Sequence, residues 1–232
     1  MKSILVIQND PHEGAGSMAA LIAERGFEQV SVIGADADYA KLPSADFAGL
    51  VVLGGAQGAY ETDQYPYLSN EMQLARDFIA EGKPIAGFCL GAQLLACAVG
   101  GEVVPGKQRE IGWHNLHLTE AAANDPLMQG HPHTLPSFHC HGDTIAEVPG
   151  AIRLAYSDLT PCQLFRYGKS AYGFQFHAEV DRPLLEIMCR NNRDYIASNG
   201  SDAERIIAEG VTLLPPFEQR CRTILGRWLD LA

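Results

Sequence analysis

The chain has 232 residues, 47% of them hydrophobic and 19% charged, which is ample material for a buried core and excludes a disordered chain. A net charge of −11, spread along the chain, speaks against a nucleic-acid partner and for a solvated acidic surface. The opening MKSILVIQND is too short in apolar residues for a secretory signal. The apolar stretch around residues 84–101 is broken by glycines and Gln93 and falls short of the roughly 20 residues a membrane span needs. These features predict a cytoplasmic protein with no membrane association, whose six cysteines (89, 97, 140, 162, 189, 221) are free thiols.

In chain order, SILVIQN (3–9) reads as a buried strand and GSMAALIAERGF (16–27) as a helix, with Met18, Leu21 and Ile22 on one face and Gly26 as its stop. QVSVIG (29–34) and FAGLVVLGG (47–55) read as strands, and LSNEMQLARDFIAEGKP (68–84) as an amphipathic helix. PIAGF is a fourth strand, and LGAQLLACAVGG a helix closed by two glycines. Apolar strands alternating with helices predict a parallel sheet covered on both faces.

After about residue 102 the pattern changes. HNLHLTE, HTLPSFHCHGD, AIRLAYS, CQLFRYG and AYGFQFH read as short strands of a mixed or antiparallel extension, and from 182 onward the chain reads as helical. Phe217, Cys221, Ile224, Leu225, Trp228 and Leu229 form a one-sided stripe that should dock on the rest, and LLPPFE (213–218) reads as a short hinge. The fold class expected is α/β: a flavodoxin-like three-layer sandwich with a mostly parallel central sheet, a small antiparallel extension and a helical C-terminal tail. Residues 1–232 are expected to form one domain, with about 200–232 as the helical extension.

Gly87-Phe88-Cys89-Leu90-Gly91 matches a G-x-nucleophile-x-G elbow at a strand-to-helix junction. There a sharp turn pushes the nucleophile beyond the strand ends, and the flanking glycines let strand and helix approach closely. The helix N-terminus favours a thiolate, and the Leu90 amide points toward a developing oxyanion. A base with an orienting partner is offered by His177 and Glu179 in YGFQFHAEV (172–180); on extended backbone, residues two apart face the same way. Gly54-Gly55, after an apolar strand, leaves bare amides that could complete an oxyanion hole.

With these residues assembled, the chain resembles the class I (triad) glutamine amidotransferases, most closely the amidotransferase half of GMP synthase. GFCLGAQLLACAVGGEV is similar to the family's G-x-C-x-G-x-Q segment, and YGFQFHAEV to its Y-G-x-Q-F-H-P-E-V. LGGAQGAY stands in place of the G-G-P turn, and HCHGD (139–143) in place of S-H-G-D. The resemblance implies a triad of Cys89, His177 and Glu179, with the amides of Gly55 and Leu90 as oxyanion donors. It also implies that Gln57, Gln93 and the loop around Cys140, Gly142 and Asp143 bind the amino-acid end of a glutamine or γ-glutamyl substrate. Three positions depart from the family pattern: Ala178 and Ala56 replace prolines, and Cys140 replaces a serine.

No phosphate-binding glycine loop is present, so a synthetase that consumes ammonia would act in trans; a second copy of the chain, as a homodimer, is the other protein partner to consider. No cofactor is implied. The reaction expected is release of ammonia and glutamate through a Cys thioester. The alternatives are a γ-glutamyl peptide hydrolase and a non-catalytic regulatory module of the same fold. The four histidines and one cysteine of HPHTLPSFHCH (131–141) suggest metal spacing. However, His139, Cys140 and His141 are adjacent, so neighbouring side chains should point apart, and no metal is expected.

Overall fold

A computed structural model describes residues 2–232. Its centre is a nine-stranded sheet in the order β2-β1-β3-β4-β9-β8-β7-β5-β6. β1 (Ser3–Gln8), β2 (Glu28–Ile33), β3 (Gly49–Val52), β4 (Ile85–Phe88) and β9 (Ala171–Phe174) are parallel neighbours. From β9 the sheet continues antiparallel through β8 (Leu164–Tyr167), β7 (Ile152–Tyr156), β5 (Glu102–Leu118) and β6 (Thr134–Glu147). β1, β3, β4 and β9 are too apolar to face water, and both faces of the sheet are covered.

One face packs against α1 (Ser17–Glu24), α4 (Arg182–Asn191) and α6 (Ala203–Leu229), with Ile4 and Val6 of β1 pointing into that layer. The other, where Leu5 and Ile7 point, carries α2 (Tyr67–Ala80) and α3 (Leu90–Ala98). A short α5 (Arg193–Ser198) links α4 to α6. The α/β class and the three layers agree with expectation. β5 is far longer than the HNLHLTE segment read from the sequence, and β6 runs four residues past HTLPSFHCHGD, because a 17-residue strand folds back on a 14-residue one. HCHGD, read from the sequence as the end of a strand and implied by the resemblance to be a loop, lies inside β6. Among the described residues, no helix is long and apolar enough to cross a membrane.

The hinge expected at 213–218 is absent. Pro215 and Pro216 lie inside the 27 residues of α6. Both are exposed, so the carbonyls they leave without a donor face water, while Leu214 and Phe217 on either side are buried. An interior proline costs about 3 kcal/mol or more. Phe217, Ile224, Leu225 and Leu229 are all buried and contribute about 1.5–3 kcal/mol each, enough to keep the helix continuous across the pair. Pro216→Ala should therefore stabilise the protein by about 2 kcal/mol, the restored helix hydrogen bond outweighing the freer unfolded chain. Chemical denaturation midpoints at constant slope would check this.

Candidate active site

A pocket of about 550 Å³ opens at the carboxyl ends of the parallel strands. Its walls come from Asp10 and Glu13 after β1, Gly55, Ala56, Gln57, Gly58, Tyr60 and Glu61 after β3, Cys89 after β4 and His177 after β9. This is where an open α/β sheet offers a crevice, at the point where strand order reverses between β1 and β3.

Cys89 is the N-cap of α3 with φ 49° and ψ −107°, and among the described residues it alone has a positive φ without being glycine. Such a conformation costs of order 1–3 kcal/mol and persists only where the surroundings impose it. Two glycines allow it. A Cβ on Gly87 would lie 2.4 Å from the Gly91 carbonyl oxygen, and one on Gly91 would lie 2.0 Å from that of Val52 in β3. The Cys89 amide donates to Phe174 O of β9 at 2.8 Å, and its carbonyl accepts from Gln93 N at 3.1 Å. The thiol is 7% exposed and 3.8 Å from both the Cys140 carbonyl, to which it donates, and Gln175 Nε2, which donates to it.

His177 and Glu179 are 2% and 3% exposed, with His177 Nδ1 2.7 Å from Glu179 Oε1. The ring's other nitrogen, Nε2, has no hydrogen-bond partner. Burial alone would depress the His177 pKa, but the Glu179 charge and the adjacent Cys89 outweigh it and hold the pKa well above the ordinary range. The local backbone differs from the extended run expected. β9 ends at Phe174, and His177-Ala178-Glu179 form a turn. The turn is pinned from outside: His177 N–H donates to Phe138 O of β6 at 3.0 Å, and Ser17 N–H donates to Glu179 O at 2.9 Å. Imidazole and carboxylate thus meet through a tertiary turn rather than strand alternation.

Among main-chain bonds outside the regular elements, the Gly55 and Leu90 amides donate to no carbonyl. A Cβ on Gly55 would meet Gln57 Oε1 at 2.5 Å and Asn9 Cβ at 2.7 Å, so only glycine fits there. Gln57, Gln93, Cys140, Gly142 and Asp143 all line the pocket with Gly55, Cys89 and His177; Leu90 and Glu179 stand behind it. Cys140 lines the pocket, its carbonyl accepts from the Cys89 thiol, and burial pushes its own thiol pKa up. Gln93 does not point freely into the pocket: its Nε2 donates to Gln175 Oε1 at 3.2 Å, and the far end of that amide reaches the Cys89 sulfur.

Several residues around the site were not singled out from sequence. Gln175, which reaches Gln93 and the Cys89 sulfur without lining the pocket, had a visible signal, a lone amide in an apolar run. Glu13, Tyr60, Arg109, Asn192 and Tyr195 had none. Four residues of β5, 106–109, bulge between Pro105, paired with Asp143, and Glu110, paired with His141. Such bulges re-aim side chains beside active sites. Here Arg109 lies over the Tyr195 ring, 4.4 Å from its centroid, and Asn192 Nδ2 donates to Glu13 Oε1 at 3.0 Å. Gly91→Ala should destabilise the protein by more than about 3 kcal/mol, since overpacking against rigid backbone exceeds the usual core range. Thermal unfolding beside Ala92→Gly, which adds no atom, would measure it.

Chemically, the pocket joins a strained thiol, an imidazole held by a carboxylate, and unengaged amides. The pattern of the family described as "Glutamine amidotransferase class-I" matches residues 16–184. A glutamine amidotransferase-like protein of Salmonella typhimurium, YfeJ, is 31% identical over 228 residues, 97% of this chain and 94% of that protein. The GMP synthase [glutamine-hydrolyzing] of Dehalococcoides mccartyi is 30% identical over 183 residues, 76% of this chain but only 32% of that enzyme. The crystal structure of a glutamine amidotransferase from Thermotoga maritima superposes with a TM-score of 0.87 at 28% identity, covering 99% of this chain and 96% of that one. Motifs, fold and full-length similarity agree: this chain belongs to the class I glutamine amidotransferase family.

Proposed function

We propose that the protein hydrolyses the γ-amide of glutamine or of a related γ-glutamyl compound through a thioester on Cys89. The observation that carries this reading is His177, fastened to Glu179 by one ring nitrogen with the other unengaged, beside a strained Cys89 in one pocket. His177 Nε2 takes the Cys89 thiol proton as the sulfur attacks, and the raised His177 pKa favours the imidazolium so formed. In the first half-reaction the sulfur attacks the γ-carbonyl carbon, and the Gly55 and Leu90 amides take the oxyanion. His177 then gives its proton to the amide nitrogen, the C–N bond breaks, and ammonia leaves a γ-glutamyl thioester. In the second, His177 removes a proton from water, the resulting hydroxide attacks the thioester, the C–S bond breaks, and glutamate departs. Glu179 orients the imidazole and stabilises its charged form.

Gln57 and Gln93, with the backbone at Cys140, Gly142 and Asp143, would hold the amino-acid end of the substrate. Gln93 would act from within its pair with Gln175. Similarity to part of GMP synthases supports a synthetase partner in trans that consumes the ammonia. The pocket volume favours a second reading of the same chemistry. About 550 Å³ exceeds what glutamine fills, and its outer part, walled by Arg109, Asn192 and Tyr195, has room for the leaving group of a γ-glutamyl peptide.

Cys89→Ala should lower glutamate release by more than about 10⁴-fold from glutamine and from γ-glutamyl peptides alike. Comparing the two substrate classes on the wild type decides between an ammonia-supplying and a peptide-cleaving enzyme. Glu179→Gln should be milder, and its effect depends on pH. Removing the charge that raises the His177 pKa moves that pKa down, so the alkaline limb of kcat/KM shifts to lower pH. An unshifted limb would assign the orienting role elsewhere.

A further inference from the structure

Against the wall of the pocket, where β6 pairs with β5, lies a second cluster of ligating side chains, one of which, His141, also lines the pocket. Glu110 of β5 is paired with His141 of β6, and Gly112 with His139. Residues directly opposite share a face of the ribbon, and so do residues two apart. Strand alternation therefore turns Cys140 away, as the sequence suggests, but brings His139 and His141 together over Glu110. The three are 0%, 4% and 0% exposed respectively, and their ligating atoms lie within 4.8 Å of one another. Glu110 Oε2 is 3.4 Å from His141 Nε2 and 4.0 Å from His139 Nδ1.

The surrounding hydrogen bonds assign the ring tautomers. His141 Nδ1 is 3.0 Å from the Asp143 carbonyl, which can only accept, so Nδ1 carries the hydrogen and Nε2 of the neutral ring presents a lone pair. Ser137 Oγ donates to His114 O at 3.3 Å and therefore accepts from His139 Nε2 at 2.7 Å; this leaves a lone pair on His139 Nδ1, which has no partner. Two imidazole lone pairs and a carboxylate thus converge in a buried space, where an uncompensated negative charge is costly. The Gln163 amide nitrogen lies 2.7 Å from Glu110 Oε2 and 3.3 Å from His141 Nε2, but it leaves His139 Nδ1 without a partner. A metal ion would engage all three ligating atoms.

We propose that Glu110, His139 and His141 form a site for one divalent transition-metal ion of the zinc type, distinct from the Cys89–His177–Glu179 group although His141 also lines the Cys89 pocket. Zinc bonds of about 2.0–2.2 Å to nitrogen and oxygen set tetrahedral ligand spacings of roughly 3.3 Å. The 3.4 Å spacing already fits, and the 4.0 Å spacing needs a small side-chain movement. A fourth ligand is at hand in Gln163. Its Nε2 donates to Glu110 Oε2 at 2.7 Å, while its Oε1 is buried without a partner; turning the amide over brings that oxygen to the ion. Access is provided by a second pocket of about 410 Å³, lined by Glu110, Trp113, His114, Asn115 and Asp158 among others. The bound ion would tie the β5–β6 ribbon to the segment entering β8. It would thereby brace the 140–143 stretch that walls the Cys89 pocket, making the ion a structural support for that site.

The test uses the full chain carrying Cys89→Ala, which removes the reactive thiol as a competing ligand, stripped with chelator and titrated with Co²⁺ and, separately, Zn²⁺. One equivalent should bind. The Co²⁺ complex should show d–d bands of a nitrogen and oxygen site with no thiolate charge-transfer band, and Zn²⁺ should raise the melting temperature. Adding His139→Leu should weaken binding by more than about 100-fold, since losing an outer partner of a metal ligand already costs 10–100-fold. Should that variant not fold, Glu110→Gln, which keeps side-chain shape, carries the same expectation. Failure of the folded Cys89→Ala protein to take up either ion would overturn the proposal. A thiolate charge-transfer band, or unchanged affinity in the folded ligand variants, would overturn it equally.

Discussion

The backbone of Cys89 is the constraint on which the rest of the site depends. A positive φ at a residue with a side chain is unfavourable by itself, and it is held by a contact among three elements: Gly87 of β4 against Gly91 of α3, and Gly91 against Val52 of the neighbouring strand. The contact works only if β3, β4 and α3 are in register, and each of those elements is buried in the sheet or the helix layer beside it. The core therefore compensates for the elbow. The Cys89 amide bond to Phe174 extends the same constraint to β9, the strand that delivers His177 and Glu179.

The two halves of the sheet contribute differently. The parallel half supplies Cys89, His177 and the Gly55 turn, because loops at the carboxyl ends of β1, β3, β4 and β9 converge on one crevice. The antiparallel half supplies the far wall, through the bulge that carries Arg109 and through Gly142 and Asp143. β6 serves two environments at once: Cys140 presents its carbonyl to the Cys89 thiol, while His139 and His141 on the other face meet Glu110. Whatever stiffens one face of that strand is felt on the other.

Much of the fold was legible because its causes are local. Apolar strand runs, helical periodicity and glycine stops placed β1 to β4 and α1 to α3 close to where they lie. The elbow was legible for the same reason, since a strand, a glycine-flanked nucleophile and a helix are contiguous. Legibility failed where distant parts of the chain decide the outcome. The turn at His177 is shaped by bonds from Phe138 and Ser17. The proline pair stays helical because both prolines face water while the residues beside them are buried. His139 and His141 read as a chance neighbourhood until β5 brings Glu110 opposite them.

The sequence by itself determined the α/β class and the family and pointed to the candidate Cys, His and Glu side chains, because each is written in a short contiguous stretch with a recognisable spacing. Only the tertiary structure decided how His177 and Glu179 reach each other, which residues wall the pocket beyond the motifs, and that two histidines share a buried carboxylate. Those outcomes depend on register and on contacts between residues tens to more than a hundred positions apart, and such pairings leave no periodic trace in the chain.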